Sequence, residues 1–534
     1  MNFTQEQHNI INSNEKKLKI NAVAGSGKTT TLLAYASKKK NLSILYLAYN
    51  RAIAQEISRK LEIENIKNIH VTTIHALAYR AIGVWNYKIF ELDEIAIGHF
   101  INSNDPIYSW LIKDLVSFYC NSRIREIDDI LLSSYIKVAS PSNEILAILS
   151  KDPIIICSHV QQILSAMKNK KISITHDFYL KLYYLYKPKL NFDLILVDEA
   201  QDISDVMSAI IERQSSNTIY VGDGFQQIYS FRFAINALEK IDTPSLKLTR
   251  SFRFGDGYAQ QLSTILNQGY SLLKSQLLEI NGEDHYTKIG FKTLNLKKPY
   301  TVIARSNISL FEEILKRLDQ NKKIFFEGGY GGYGFMNKTI FSILKLHENK
   351  SVDHELIKQF DSIESLKKYT IDTQNQPLKN MITLVEKYDT QLFSFNKKIK
   401  TLITENRDQA QIIYTTTHKA KGEEYDQVIM SEGDFTNLEQ IKKMIKEADI
   451  SPIKIKEEIN IYYVAATRVK NAISLASFDE NIFEKPEPQI EVKTKSTKKD
   501  IKVPIQNRFG RFKQRYSSHR PQQKLDSWLK DNGY

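Results

Sequence analysis

The feature that most constrains this chain is an apolar strand followed by a glycine-rich loop and the start of a helix, LKINAVAGSGKTTTLL. It fits the phosphate-binding loop pattern, except that Ala22 occupies the first glycine position. Gly25 and Gly27 let backbone N–H groups curl around phosphates, and the helix N-terminus adds a favourable dipole. Lys28 is placed to reach the β- and γ-phosphates, and the Thr29 hydroxyl to ligate Mg²⁺. The segment therefore predicts a nucleoside triphosphate site at the end of a buried strand.

Other short apolar runs, LSILYLAY, FDLILVDEA and NTIYVGD, also read as buried strands, each followed by a loop and an amphipathic segment. This alternation predicts an α/β fold with a parallel sheet, in which ligands bind at the carboxyl ends of strands. In LILVDEAQD, Asp198 follows a strand and can hold Mg²⁺, and the adjacent Glu199 can orient or deprotonate the attacking water.

Hydrolysis of a triphosphate also requires positive charge that stabilises the γ-phosphate in the transition state. The candidates are Arg253 in LTRSFRFG and Arg468 in YYVAATRVK. Both lie far from the loop in sequence, so we expect them to come from a second domain. A site of this kind forms when two domains close on the nucleotide, and ATP turnover would then open and close the cleft.

The length and composition exclude several classes of protein. A chain of 534 residues suggests about three or four domains. Its two cysteines, Cys120 and Cys157, and the lack of a Cys/His cluster argue against a disulfide framework, a zinc site or an iron–sulfur cluster. The N-terminus is polar, and no apolar run approaches the ~18 residues of a membrane span. We therefore expect a soluble, intracellular protein without a signal peptide, in the cytoplasm or nucleoid, or in the nucleus of a eukaryote.

Positive charge is concentrated at the C-terminus. The net charge is +13, and residues 491–534 contain twelve Lys and Arg against four Asp and Glu. Such a tail indicates a polyanion partner, most often nucleic acid, or a disordered solubilising segment. Its RFGRFKQRY stretch mixes cations with aromatic rings, which suits contact with a phosphate backbone and bases. The later QQKLDSWL is loosely similar to a sliding-clamp-binding peptide through Gln522, Leu525 and Trp528, or could dock on the protein's own core.

Taken in order, the motifs resemble those of the UvrD/Rep-type superfamily 1 DNA helicases. The matching segments are FTQEQ, AVAGSGKTT, LAYNRAIA, TTIHALAYR, LVDEAQD, VGDGFQQIYSFRFA, LTRSFRFG, TTTHKAKGEEYD and EINIYYVAATR. The resemblance covers about residues 3–475 and is greatest to the F-box DNA helicase branch, although no F-box is evident. One departure is Phe233, which stands where the family has glycine and would crowd a base pocket or add a stacking face.

The resemblance implies an α/β fold with two RecA-like P-loop NTPase domains, each built on a parallel sheet and carrying an inserted subdomain. The sequence agrees, since it becomes mainly helical from about Trp85 to Leu190 and is interrupted again between about Tyr330 and Lys400. The expected domains are RecA-like domain 1A (1–84 and 187–243), helical insertion 1B (85–186), RecA-like domain 2A (244–329 and 401–485), a reduced insertion 2B (330–400) and a basic flexible tail (486–534).

The resemblance also implies roles for matching positions. Gln7 would read the adenine edge, Phe252 would stack on the adenine, and Glu424 would contact the sugar region. The residues expected to bind the nucleotide are Gln7, Ala24, Gly25, Ser26, Gly27, Lys28, Thr29, Thr30, Phe252 and Glu424. The expected catalytic residues, including a γ-phosphate sensor (Gln226) and two arginine fingers, are Lys28, Glu199, Gln226, Arg253 and Arg468, with Thr29 and Asp198 as Mg²⁺ ligands. The residues that would line the single-strand DNA path are Tyr49, Thr73, His75, Phe231, Arg232 and His418.

The function implied by the resemblance is that of an ATP-dependent 3′–5′ helicase or translocase on single-stranded DNA, used in repair, recombination or replication. Its expected cofactors are ATP and Mg²⁺, and its expected partners are single-stranded and tailed duplex DNA. Two alternatives remain open. The chain could strip proteins from single strands with little unwinding, or it could be a DNA-binding module that a nucleotide switches with negligible turnover.

Overall fold

The computed structural model describes residues 2–229, 233, 236–447 and 450–478. The predicted basic tail at 486–534, including its clamp-like peptide, lies outside the described residues. Two six-stranded parallel sheets and two groups of helices make up most of the described chain.

The first sheet is formed by strands from the N-terminal half of the chain. They are β1 (Lys17–Ala22), β2 (Ile44–Leu47), β3 (Ile69–Thr72), β4 (Leu194–Val197), β5 (Asn217–Gly222) and β6 (Ser245–Leu248). Their order is β3-β2-β4-β5-β1-β6, and all neighbouring strands are parallel. Because strands β1, β4 and β5 run the same way, the AVAGSGK, DEAQD and GDGFQQ segments that follow them lie at one edge of the sheet.

The helices of this half cover both faces of the first sheet. They are α1 (Gln5–Ile11), α2 (Lys28–Ser37), α3 (Arg51–Ile63), α4 (Ile74–Ile82), α5 (Glu94–Ile101), α6 (Pro106–Asn121), α7 (Asp129–Ala139), α8 (Asn143–Lys151), α9 (Pro153–Lys168), α10 (His176–Leu185), α11 (Asp205–Glu212) and α12 (Ala237–Lys240). Alternate strand residues face opposite sides. Ile44 and Leu194 join a core with α2 and α3, whereas Leu45 and Ile195 join the core of α6 to α11.

The second sheet is formed by strands from the C-terminal half. They are β9 (Lys288–Ile289), β10 (Tyr300–Ala304), β11 (Ile324–Phe326), β12 (Ile412–Thr416), β13 (Tyr425–Met430) and β14 (Val469–Ser474), in the order β11-β12-β10-β13-β14-β9. Its neighbouring strands are also parallel. A separate pair, β7 (Arg250–Gly255) and β8 (Asn281–Glu283), precedes it.

The helices of the C-terminal half pack on this sheet and on one another. They are α13 (Asp256–Leu272), α14 (Asn307–Arg317), α15 (Lys338–His347), α16 (Ile363–Asp372), α17 (Gln376–Tyr388), α18 (Gln391–Leu402), α19 (Thr417–Ala420), α20 (Leu438–Glu447) and α21 (Pro452–Ala466). Helices α13 and α21 share one apolar core with β13 and β14, and α14 to α17 share another with β10 to β12. The glycine-rich EGGYGGYGF segment before α15 forms a turn, as its glycines predict.

Thr249 is the one residue between β6 and β7, where the described chain passes from the first half to the second. Its N–H and hydroxyl donate to the two carboxylate oxygens of Glu6 at 2.8 and 2.9 Å. The α/β fold class with parallel sheets is confirmed. The domain limits remain a prediction, and the first sheet extends past residue 243 because β6 pairs with β1. Within the described ranges, none of the helices has the length and apolar character that crossing a membrane requires.

We predict that Leu115→Ala destabilises the helical group, because Leu115 is fully buried in its core on α6. The cavity left behind should lower the free energy of unfolding by about 2–5 kcal/mol. Ile130→Ala is the control, since Ile130 is 55% exposed on α7, and it should change the value by less than about 0.5 kcal/mol. Urea unfolding followed by circular dichroism measures both, and equal losses in the two variants would contradict the described packing.

Candidate active site

Two glycines shape the loop after β1, and strand β7 lies against it. Gly25 and Gly27 have φ angles of +72° and +73°, in the left-handed region that favours glycine. A Cβ atom at Gly25 would lie 2.7 Å from Ser251 Oγ and 2.9 Å from Arg253 Cβ. The Phe252 N–H donates to the Gly25 carbonyl oxygen at 2.9 Å. The close approach of β7 therefore brings Phe252 and Arg253 to the loop.

Lys28, the first residue of α2, lies among buried carboxylates at the ends of β4 and β5. Its Nζ is 3.4 Å from Glu199 Oε1. Burial opposes the charged form of Lys28, but Glu199, Asp223 and Asp198 together raise its pKa. Burial raises the pKa of Asp198 to about 6, whereas Lys28 and Lys421 hold the pKa of Glu199 low against the effect of burial. Glu199 also has a φ of +51°, and such strain beside shifted pKa values is typical of functional sites.

Thr29 and Asp198 fit a Mg²⁺ site. The Tyr46 hydroxyl donates to Asp198 Oδ2 at 2.7 Å, and Thr29 lies close to the same tyrosine. Mg²⁺ commonly takes one or two protein oxygens and completes its shell with water and phosphate oxygens. No group of three or more His, Cys, Asp and Glu that could hold an ion occurs in the part of the chain that the structure describes. Thr29 and Asp198 would supply two protein oxygens, which lies within that usual number.

Asp223 is the acceptor at the centre of a buried hydrogen-bond network. It accepts from Gln226 Nε2 at 2.7 Å, from the Tyr463 hydroxyl at 3.0 Å and from the Phe225 N–H at 3.1 Å. The same Tyr463 hydroxyl accepts from the Ala24 N–H at 2.9 Å. Because Tyr463 lies on α21, one phenol links the C-terminal half both to the loop and to the acid that holds Gln226.

Arg253 and Glu424, both predicted site residues, contact each other. Arg253 Nε and Nη2 donate to Glu424 Oε1 at 3.0 and 2.6 Å, and Nη1 donates to the Thr467 carbonyl oxygen at 2.6 Å. Lys470 Nζ lies 3.1 Å from Glu424 Oε2. These cations lower the pKa of Glu424 although burial opposes it. Glu424 therefore fixes the direction of the Arg253 guanidinium, whose side chain is only 8% exposed.

Arg468 is a deeply buried cation with uncharged acceptors. It is 1% exposed, and it donates to the Val464 and Glu423 carbonyl oxygens at 2.8 and 3.3 Å and to Thr467 Oγ1 at 2.9 Å. Burial, and secondarily the neighbouring Arg253, lower its pKa. Two guanidinium groups held close together away from water are stabilised when an anion binds between or beside them.

Gln7 and Phe252, the predicted adenine contacts, both lie close to Gly27. A Cβ atom at Gly27 would be 3.2 Å from Gln7 Nε2 and 3.5 Å from Phe252 Cε2. Gln7 is buried and fixed, since Nε2 donates to Thr31 Oγ1 at 3.0 Å and Oε1 accepts from the Thr4 N–H at 2.9 Å. The Phe252 ring remains 43% exposed. The loop is thus flanked by a fixed amide and an accessible aromatic face.

The other predicted loop residues differ in their surroundings. Ser26 is buried, and its hydroxyl donates to the Val23 carbonyl oxygen at 2.8 Å. Thr30 lies in the first turn of α2 and is exposed. The loop therefore keeps its shape through an internal hydrogen bond as well as through its glycines.

A cleft of about 580 Å³ runs from this edge of the first sheet to aromatic side chains. The acids at its inner end are Asp198 and Asp202, and its outer lining includes Tyr49, His75 and Tyr229. Lys421, which follows α19, forms a buried ion pair with Asp202. The cleft therefore connects the nucleotide side of the molecule with residues of the predicted DNA path.

Tyr49 and His418 are brought together through Tyr229. Tyr49, 36% exposed, stacks on Tyr229 with ring centroids 6.4 Å apart and planes 16° apart. The Tyr229 hydroxyl donates to the His418 carbonyl oxygen at 3.3 Å. His418 Nε2 lies 3.1 Å from the Ile228 carbonyl oxygen, and burial lowers the pKa of His418 to about 4. His418 is thus neutral near pH 7 and donates from Nε2 to that carbonyl.

Thr73 and His75 lie at the N-terminus of α4. Thr73 caps the helix, since its Oγ1 accepts from the Ala76 N–H at 3.1 Å. His75 Nε2 is 3.9 Å from Asp177 Oδ1, and its ring lies edge-on to Tyr179 at 6.1 Å. His75 faces the cleft, whereas the hydroxyl of Thr73 has a structural partner.

Phe231 and Arg232, predicted to contact DNA, lie outside the described residues, but the neighbouring Phe233 is described. It has a φ of +54°, in the region that favours glycine. Its ring packs edge-on against Phe118 of α6 at 5.1 Å. The phenylalanine thus joins the helical core, and this packing accounts for its departure from the glycine of the resembled pattern.

Sequence reasoning did not single out several residues of this network. They lie inside the motifs quoted above and are Gln201, Tyr229, Lys421 and Tyr463. Gln201, for example, donates from Nε2 to Glu199 Oε2 at 2.6 Å and accepts from the Asp223 N–H at 3.0 Å. Membership of a motif was the available signal, since spacing does not reveal tertiary partners, which for Lys421 and Tyr463 lie about 200 residues away in the chain.

Comparison with known proteins finds similarity to proteins named as DNA helicases. Residues 3–242 match the family described as the UvrD/REP helicase N-terminal domain. The chain is 28% identical to F-box DNA helicase 1 of Gallus gallus, over 90% of this chain and 49% of that protein. It is also 28% identical to F-box DNA helicase protein 1 of Schizosaccharomyces pombe, over 89% of this chain and 57% of that protein.

A bacterial relative is more distant. The chain is 26% identical to the probable DNA helicase II homolog of Mycoplasma capricolum, over 83% of this chain and 66% of that protein. The chain spans about half the length of the two F-box-named relatives. The resemblance inferred from the ordered motifs is confirmed by these matches.

We predict that Gly25→Ala disturbs the loop and its contact with β7. The added Cβ atom would take a left-handed φ and overlap Ser251 and Arg253, so the free energy of unfolding should fall by about 1–3 kcal/mol. Gly257→Ala is the matched control, because nothing lies within 4 Å of its added atom. On helix α13 that change should be neutral or stabilising by up to about 1 kcal/mol. Equal stability of the two variants would contradict the geometry of the loop.

Proposed function

We propose that this chain, which carries a UvrD/REP helicase N-terminal domain, is an ATP-driven motor that moves 3′ to 5′ on single-stranded DNA and separates duplexes. One observation supports this most strongly. Lys28 and Glu199 from the first half meet β7, with Arg253, at the loop after β1. A triphosphate on that loop would therefore contact cations from both halves of the chain.

The residues have distinct tasks in this proposal. ATP would bind on the loop, and a Mg²⁺ ion held by Thr29 and Asp198 would supply charge neutralisation at the phosphates. Lys28 is kept charged by its acidic neighbours and binds the outer phosphates. Glu199 is kept ionised, and its contact with Gln201 directs its carboxylate, so that it aligns the attacking water and accepts its proton.

The two arginines complete the site from the C-terminal half. Arg253 is directed by Glu424, and Arg468 is buried with uncharged acceptors. As charge develops on the γ-phosphate, both guanidinium groups stabilise it more than they stabilise the ground state. Gln226, held by Asp223, reports the presence of the γ-phosphate to the segment that follows it.

On the DNA side, the aromatic residues give a grip that does not depend on sequence. Tyr49 and Tyr229 offer stacked rings at the outer end of the cleft, and each base stacked on an aromatic side chain contributes about 1–3 kcal/mol. His418 is neutral and adds no charge to the path. The polarity of movement and the preference for tailed duplexes rest on the family resemblance.

We predict that single-stranded DNA stimulates ATP hydrolysis and that Lys28→Ala and Glu199→Gln each abolish it, by at least about 100-fold, because each removes a group from the reacting phosphate or water. The matched control is Lys40→Ala, which removes an exposed lysine just past α2 and should leave the rate unchanged. Steady-state ATPase assays with and without DNA measure this. A wild-type ATPase rate that is the same with and without DNA would rule out the proposed motor function.

We also predict that duplexes with a 3′ single-stranded tail are unwound in the presence of ATP and that duplexes with a 5′ tail are not. The measurement is strand separation on a matched pair of labelled substrates. Displacement of a protein from a coated single strand, without duplex separation, would instead identify a protein-stripping translocase. ATP-dependent DNA affinity with negligible turnover would identify a nucleotide-controlled binding module.

A further inference from the structure

Residues 226–229, here called the coupling segment, connect the predicted γ-phosphate sensor Gln226 with Tyr229 of the predicted DNA path. The segment follows β5 of the first sheet, and Gln227 has an extended backbone. Ile228 is nevertheless fully buried in the apolar core of α13 and α21. The coupling segment therefore belongs to the first half by chain order and to the second half by packing.

Three consecutive carbonyl oxygens of the coupling segment accept from side chains of the C-terminal half. Lys421 Nζ donates to the Gln226 carbonyl oxygen at 2.7 Å, and His418 Nε2 donates to that of Ile228 at 3.1 Å. Asn460 Nδ2 donates to the carbonyl oxygen between them, that of Gln227, at 3.0 Å.

The donors lie on two sides of the segment. In an extended chain, successive carbonyl groups point in opposite directions. The outer two carbonyls meet the 418–421 segment, and the middle one meets α21. The coupling segment is thus held between α19 and α21. A shift of these helices relative to the first sheet would therefore move the whole coupling segment with them.

Asn460 differs from the other two donors, because among the described residues its side chain hydrogen-bonds to none of the proposed nucleotide or DNA residues outside the coupling segment. It is 1% exposed, and its Oδ1 accepts from the Tyr270 hydroxyl of α13 at 2.9 Å. Lys421 also pairs with Asp202, and His418 belongs to the predicted DNA path. Removal of Asn460 would therefore loosen the coupling segment without altering either ligand site directly.

We propose that Asn460 is a positioning residue that transmits DNA binding to ATP turnover by fixing the coupling segment to α21. This rests on the proposed motor function. Without the Asn460 donor, the partly buried Gln227 carbonyl loses a partner in α21, and the segment follows the movement of α21 less closely. DNA bound near Tyr229 then has a weaker influence on Gln226 and the γ-phosphate.

The test compares a variant that removes both hydrogen bonds of the Asn460 amide with one that removes only the bond on the Tyr270 side. Asn460→Leu removes the bond to the coupling segment and the bond from Tyr270, whereas Tyr270→Phe removes only the latter and keeps the ring. For Asn460→Leu, the basal ATPase rate and the KM for ATP should stay within about twofold of wild type, while DNA stimulation falls about tenfold, equivalent to about 1.4 kcal/mol. Tyr270→Phe should keep wild-type stimulation.

The outcomes separate this inference from the proposed function. A wild-type enzyme without DNA stimulation would refute the motor itself. Normal stimulation in both wild type and Asn460→Leu, or equal loss in Asn460→Leu and Tyr270→Phe, would refute the role of Asn460 alone. If Asn460→Leu does not fold, as judged by circular dichroism, Asn460→Ser is assayed by the same criteria, because its hydroxyl is too short to reach the segment.

Discussion

The arrangement of the site depends on the hydroxyl of Tyr463, which donates to Asp223 and accepts from the Ala24 N–H. One oxygen atom of α21 is thereby bonded to the loop after β1 and to the acid at the end of β5. Both partners belong to the first half of the chain, whereas Tyr463 belongs to the second, and all three residues are buried. A buried hydroxyl that uses both its donor and an acceptor position resists displacement, since each partner would be left unsatisfied away from water. The position of α21, with Arg468 just past its end, is set by this contact.

Around the Tyr463 contact, the negative charges of the first half face the positive charges of the second half. The first half contributes carboxylates whose charged form burial disfavours. Burial accordingly raises the pKa values of Asp198 and Asp223. The second half contributes Arg253, Arg468 and Lys421, two of which have carboxylate partners, in Glu424 and Asp202. A bound nucleotide with its metal ion would add negative phosphates near the arginines and a cation near Asp198. Ligand binding and closure of the two halves therefore relieve the same electrostatic cost.

The sequence was sufficient for the features that are local in the chain. The loop glycines, the acids that follow β4 and the alternation of strands and helices all depend on neighbouring residues, and the structure has them as predicted. Contacts over long separations could not be foreseen. The pairing of Arg253 with Glu424, the clamping of residues 226–228 and the pairing of β6 with β1 are set by tertiary packing. Phe233 is a further example. Its backbone conformation favours glycine, so neighbouring residues do not predict a phenylalanine there, and only the contact of its ring with Phe118 accounts for it.

The passage from β6 to β7 through Thr249 has a mechanical consequence. A strand of the first sheet ends on one side of Thr249, and the strand beside the loop starts on the other. In the proposed motor, this single residue would have to absorb the angular difference between open and closed forms. Both carboxylate oxygens of Glu6 accept hydrogen bonds from Thr249, which restricts sliding of one half against the other. In the proposed motor, the two halves should then rotate about Thr249 rather than move as two freely tethered bodies. Arg253 and Arg468 should follow the same path each time the site closes.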